Sequence, residues 1–224
     1  MFFFKDFKSI NEKINLPVLN KQKISLYIKR EDLIHPIISG NKFRKLKYNI
    51  KEAINQQKSE ILTFGGAYSN HLLACSFIGK LMKLKTTGII RGDELSKQKL
   101  NSTLQKCHDF GMKFIFISRE EYKRRNEKDY ISSLKKLYRD AFIIPEGGTN
   151  DFGIMGCQEI LNKEDETFDV ICCPVGSGGT ISGLINSKKK HQKILGFSAL
   201  KSSEINNVIS KLSLIHISEP TRLG

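Results

Sequence analysis

The residues best placed for chemistry begin with a lysine. In SGNKFRKLKY, residues 39–48, Lys42 stands in the first turn of an expected helix. Gly40 lets the chain bend into it, and Ser39 or Asn41 can cap its free amides. Apolar residues recur at Phe43, Leu46, Ile50, Ala53 and Ile54. At 100° per residue from Lys42 they fall within roughly 20–120°, so Lys42 borders the buried arc. Arg44, Lys45 and Lys51, at about 200°, 300° and 180°, fall on the wet side, with Lys47 just outside the arc at about 140°. Burial and the positive end of a helix both disfavour an ammonium, and a neutral amine is what a carbonyl cofactor needs to form a Schiff base. The alternative is an amphipathic surface helix whose lysine stems lie over apolar neighbours.

Two glycine-bearing stretches complement that amine. VGSGGTISG, Val175 to Gly183, follows the apolar run FDVICC. Gly176, Gly178 and Gly179 let successive amides point inward, and Ser177 and Thr180 add hydroxyls, a cradle for a single phosphate at a helix start. No Gly-Lys-Ser/Thr ending makes it a Walker loop, and it lacks the third glycine and downstream acid of a dinucleotide fingerprint. A glycine-rich turn without a ligand is the other reading. FGGAYSNH, Phe64 to His71, sets Ser69, Asn70 and His71 at a second helix start, either to bind a carboxylate or merely to cap the helix. PEGGTN, Pro145 to Asn150, taken singly is a turn.

Strands and helices must position these loops. An irregular arm and a strand at 24–28 precede the lysine helix. Strands are expected at 61–64, 87–90, 113–117, 141–144, 168–173 and 194–197. Helical segments are expected at 69–84, 98–110, 118–138, 151–162 and from the glycine loop to about 190. Strand alternating with helix implies an α/β fold with parallel sheets, whose ligand crevice lies beyond the carboxyl ends of the strands.

The 224 residues, 39% hydrophobic and 27% charged, suffice for a buried core. No apolar run approaches a membrane span, and MFFFKDFKSI meets charge too early for a signal peptide, so a cytoplasmic protein with no membrane partner is expected. Five cysteines without CxxC spacing fit reduced thiols, and no metal site is expected. The net charge of +14 raises nucleic-acid binding, but lysine is dispersed and no such motif is legible; diffuse charge can simply gather anionic ligands.

An amine, a monophosphate cradle and an anion-binding Ser-Asn-His loop together describe a pyridoxal 5'-phosphate site. IKREDLIHPIISGNKFRKLKY, TFGGAYSNH, PEGGTN and VGSGGTISGL, in this order, resemble the 1-aminocyclopropane-1-carboxylate deaminase and D-cysteine desulfhydrase family. The resemblance spans residues 24 to about 201. It implies the two-domain, fold type II architecture of the tryptophan synthase β-like enzymes, with 45–145 as the smaller domain and 1–44 with 146–212 as the larger, incomplete one. It implies that Lys42 forms the Schiff base and carries protons. Ser69 would hold the substrate carboxylate and assist proton transfer. Asn70 would touch the cofactor's ring hydroxyl, and Gly176, Ser177, Gly178, Gly179 and Thr180 would hold the phosphate. Ser69, Asn70 and His71 would form the substrate-binding loop for a small amino acid, and a homodimer is the default for the full-length chain. His71 stands where deaminases carry glutamine, which points toward β-elimination. The family's pyridine-nitrogen partner and substrate-side tyrosine would lie past GFSALKSSE, and residues 213–224 read as a non-native tail on a truncated frame. The alternatives are a nucleotide-binding α/β protein and a non-catalytic basic binding module that retains the fold.

Overall fold

The computed structural model describes residues 7–198 and 209–210; the tail at 213–224 lies outside the described residues. Its centre is a four-stranded parallel sheet in the order β5-β4-β3-β6. The strands are β3 (Glu60–Gly65), β4 (Lys85–Arg91), β5 (Met112–Ile117) and β6 (Ala141–Ile144). β3 pairs with β4 from Glu60↔Lys85 to Gly65↔Ile90, and with β6 from Glu60↔Ala141 to Thr63↔Ile144. The sequence of β3, EILTFG, explains its central place. Ile61, Leu62 and Phe64 are fully buried, and alternate side chains face opposite layers.

Ile61 packs into a core with Leu46, Ile50, Leu72, Ile78 and Leu104, from α2 (Asn41–Asn55), α3 (Asn70–Met82) and α4 (Ser102–Asp109). Leu62 and Phe64 face Tyr122 of α5 (Arg119–Lys123) and the apolar stripe Ile131 and Leu134 of α6 (Lys128–Leu137). Each such aliphatic side chain contributes about 1.5–3 kcal/mol on burial. A second core lies under β7 (Val170–Val175) and β8 (Lys193–Ser198), a parallel pair, with Cys157 of α7 (Asp151–Gln158) and Ile181 and Leu184 of α8 (Gly179–Ser187).

The expected strand at 24–28 forms as β2 (Leu26–Lys29). Its antiparallel partner β1 (Asn11–Ile14) occupies the arm expected to be irregular, with α1 (Pro17–Lys21) between them. The helix expected from 98 to 110 shortens to α4 because Asn101 accepts from Leu104 N at 2.9 Å and starts it late. The charged helical stretch at 118–138 divides into α5 and α6 where Glu127 turns extended, with ψ of 136°. α2 runs unbroken through residues 44 and 45.

α7 lies close against α2 for a reason visible in its sequence. A Cβ at Gly156 would stand 1.9 Å from Arg44 O, so only glycine admits the approach. The approach buries the side of α2 expected to be wet. Arg44 and Lys45 are 5% and 1% exposed, while Ile54, expected inward, is 39% exposed. Arg44 makes a two-pronged pair with Glu31, at 2.9 Å for each contact, and Gly40 N donates to Glu31 O at 2.9 Å. These contacts fix the start of the lysine helix.

Candidate active site

Three helix starts converge beyond the carboxyl ends of β3, β6 and β7. α2 begins after Gly40, whose φ of 62° falls in the region that favours glycine. Neither Ser39 nor Asn41 caps it. Asn41 instead donates from Nδ2 to Thr180 Oγ1 at 2.8 Å, tying the lysine helix to the first turn of α8. α3 begins at Ser69, whose Oγ accepts from Leu72 N at 3.3 Å. α8 begins after Gly178, with φ of 83° and no side-chain cap, so its first amides stay open to an acceptor.

A cavity of about 450 Å³ opens between the 36–42 segment and α3. Ile37, Ser39, Asn41, Lys42, Asn70 and Leu73 line it, and Lys42 is the only charged residue among the described residues on its wall. Lys42 is half-buried, and desolvation lowers its pKa from the ordinary lysine value. Lys42 and Asn70 thus share one wall. Ser69 stands at the neck of the same loop, half-buried.

One helical turn on, Lys45 enters the glycine loop. Its Nζ donates to Thr149 Oγ1 at 3.0 Å and to Ser177 Oγ at 3.3 Å, and those two hydroxyls lie 2.6 Å apart. Burial first, and the charge of Lys42 second, bring its pKa down to about 8. A buried ammonium bonded to two neutral hydroxyls is a site shaped for an anion. The backbone around it leaves no room for a side chain: a Cβ at Gly179 would sit 2.9 Å from both Lys45 Nζ and Thr149 Oγ1. With the open amides of α8, Ser177, Thr180 and Lys45 fit a phosphate monoester. Lys45 and Thr149 were missed in the sequence, although Lys45 lies three residues from Lys42 on one helical face.

His71 is placed differently from the expectation. It is 2% exposed and turned into the core. Thr63 Oγ1 donates to Ile144 O at 2.8 Å and therefore accepts from His71 Nε2 at 2.8 Å, which fixes the neutral tautomer protonated on Nε2. Burial first, then the charges of Lys42 and Lys45, hold its pKa well below the usual range. Its ring backs onto Gly148, where a Cβ would stand 3.3 Å from His71 Cε1 and 3.2 Å from Lys45 Cβ. Its place is behind the loop, away from the cavity wall. Among the described residues no cluster of His, Cys, Asp and Glu could hold a metal, and no helix is long and apolar enough to cross a membrane.

Known proteins resemble this chain in sequence and fold. A provisionally named 1-aminocyclopropane-1-carboxylate deaminase of Thermotoga maritima is 35% identical over 189 residues, covering 79% of this chain and 59% of that protein. The Arabidopsis thaliana mitochondrial bifunctional D-cysteine desulfhydrase/1-aminocyclopropane-1-carboxylate deaminase is 34% identical over 186 residues, 76% of this chain and 46% of that one. The solved structure of an ACC deaminase homologue superposes with a TM-score of 0.77 at 24% identity, over 93% of this chain and 66% of that chain. The chain thus spans about half to three-fifths of the curated relatives' length. The fold is the expected α/β architecture of the fold type II enzymes, shared with a solved O-acetylserine-dependent cystathionine β-synthase of Helicobacter pylori. Residues 11–217 match the profile of the pyridoxal-phosphate dependent enzymes, and the chain belongs to that family.

Proposed function

We propose that the whole protein is a pyridoxal phosphate-dependent lyase or deaminase of small amino acids, with D-cysteine as the preferred substrate. The observation that carries the reading is the meeting of Lys42 and Asn70 on one cavity wall, one helical turn from the Lys45–Thr149–Ser177 anion site. When bound, the cofactor supplies an electron sink for the pair left on the substrate's α-carbon.

The chain's own groups do the rest. Lys42 Nζ, its basicity lowered by burial, anchors the cofactor and then removes and returns the proton at the α-carbon. Lys45, the Ser177 and Thr180 hydroxyls and the amides following Gly178 hold the phosphate at Gly176 to Thr180. Asn70, on the wall beside Lys42, would hold the cofactor's ring. Ser69, held at the helix start, offers its hydroxyl proton to the substrate carboxylate and assists proton transfer.

Apart from Lys42 the cavity wall carries no charged side chain, which suits a short substrate side chain without charge. β-Elimination from D-cysteine, with water consumed and sulfide, pyruvate and ammonia released, asks the chain for one base at the α-carbon, which Lys42 provides. Opening a cyclopropane ring asks for a second group at a ring carbon. His71, first read as a substrate ligand, lies in the core and supports the glycine turn instead. The homodimer expected by default remains part of this proposal, checked by sedimentation of the whole protein.

Comparing kcat/KM for the two substrates tests the choice. Sulfide release from D-cysteine should exceed 2-oxobutyrate release from the cyclopropane amino acid. A higher value for the latter would overturn the preference.

A further inference from the structure

Glu146 opens the turn between β6 and α7, and each of its carboxylate oxygens accepts a hydrogen bond. Oε1 accepts from Tyr122 OH at 2.8 Å, and Oε2 accepts from Arg125 Nε at 2.7 Å. Arg125 also donates to Tyr122 O at 3.0 Å, and its guanidinium lies 4.7 Å from the centre of the Tyr122 ring. Tyr122 is 2% exposed and meets Phe64 of the central strand edge-on at 6.4 Å. The anchor therefore belongs to the layer that covers the four-stranded sheet.

Three residues further, the same turn reaches the anion site. Gly147 and Gly148 both take positive φ, 68° and 70°, a conformation that favours glycine. A Cβ at Gly147 would stand 2.9 Å from Ser177 Oγ, so the turn lies against the cradle. Thr149 then bonds both Lys45 and Ser177, and Asn150 exchanges amide bonds with Asn49 at 2.8 and 3.1 Å. Two glycines, which restrain their own backbone least, join the Glu146 anchor to the Asn150 anchor, so the place of Thr149 depends on both.

We propose that Glu146 is a positioning residue for the phosphate cradle: gripped by Tyr122 and Arg125, it fixes the double-glycine turn that delivers Thr149 to Lys45 and Ser177. The proposal rests on the reading of that cradle as the phosphate site. It assigns Tyr122 and Arg125, far from the cavity wall in sequence, a part in the strength with which the phosphate is held.

The test compares equilibrium binding of pyridoxal phosphate and of pyridoxal, which shares the aldehyde and ring but lacks the phosphate. The dissociation constant for pyridoxal divided by that for pyridoxal phosphate isolates the cradle. Glu146→Ala should lower that ratio about tenfold, the loss of one well-placed charge-assisted contact. The affinity for pyridoxal itself should stay within about twofold, and the melting temperature of the ligand-free protein should change by no more than about 4 °C. Tyr122→Phe, which removes only the hydroxyl, should fall between wild type and Glu146→Ala, and Glu146→Gln should recover part of the ratio. A wild-type phosphate preference that survives Glu146→Ala, or a parallel loss of both ligands in all three variants, overturns the proposal alone. A wild-type ratio near one overturns the cradle reading and the proposal with it.

Discussion

Replacing Lys45 by methionine keeps the length of the stem and removes the charge, and the geometry sets two opposite effects. In the ligand-free protein the ammonium is buried against two hydroxyls, and its fall from 10.5 to about 8 corresponds to about 3 kcal/mol of cost at neutral pH. Losing the hydrogen bonds to Thr149 and Ser177 takes back about 1 kcal/mol each. Lys45→Met should therefore leave the ligand-free protein as stable as wild type or about 1 kcal/mol more so, a rise of ~2–4 °C in melting temperature. The cofactor should show the reverse. A charge-assisted hydrogen bond to a phosphate oxygen is worth ~1.5–3 kcal/mol, so its dissociation constant should rise about 10- to 150-fold. Thermal melts without ligand and spectroscopic titration with pyridoxal phosphate measure both. A variant that melts more than about 5 °C lower yet binds the cofactor within about twofold of wild type would refute the assignment and make Lys45 a packing residue.

Two further outcomes follow from the same site. Inorganic phosphate should raise the melting temperature of the ligand-free protein more at pH 7 than at pH 10, and should not do so in Lys45→Met. The sign comes from the lowered folded-state pKa of Lys45: between about 8 and 10.5 the unfolded chain binds more protons, so its penalty is full below 8 and fades as pH rises. Gly156→Ala should cost about 3 kcal/mol in a denaturant titration, because its methyl would fall 1.9 Å from Arg44 O and α7 would have to leave α2.

Much of the site was legible because local backbone chemistry wrote it. Gly40 before Lys42, and the glycines of VGSGGT before a helix, are demands of sharp turns and open amides that neighbouring residues alone reveal. The alternation of apolar strands and helices likewise gave the parallel sheets. What stayed hidden depends on contacts distant in sequence. A helical wheel with one buried arc leaves Lys45 wet. The opposite side of α2 closes only because Gly156, more than a hundred residues on, lets α7 approach. Thr149 looked like part of a turn until it met Lys45, 104 positions away. His71 stood at a helix start, as a ligand would, but Thr63 of β3 draws its ring into the core. β1 escaped notice because NEKI carries no apolar alternation, its pairing with β2 being the only thing that makes it a strand.

The most direct measurement is chemical. Borohydride reduction of the protein loaded with pyridoxal phosphate, followed by peptide mapping, should place the pyridoxyl group on Lys42 alone, the half-buried lysine on the cavity wall beside Asn70. Label on Lys45 would contradict the division of labour between the two lysines, and a loaded protein with label on neither would contradict the site itself.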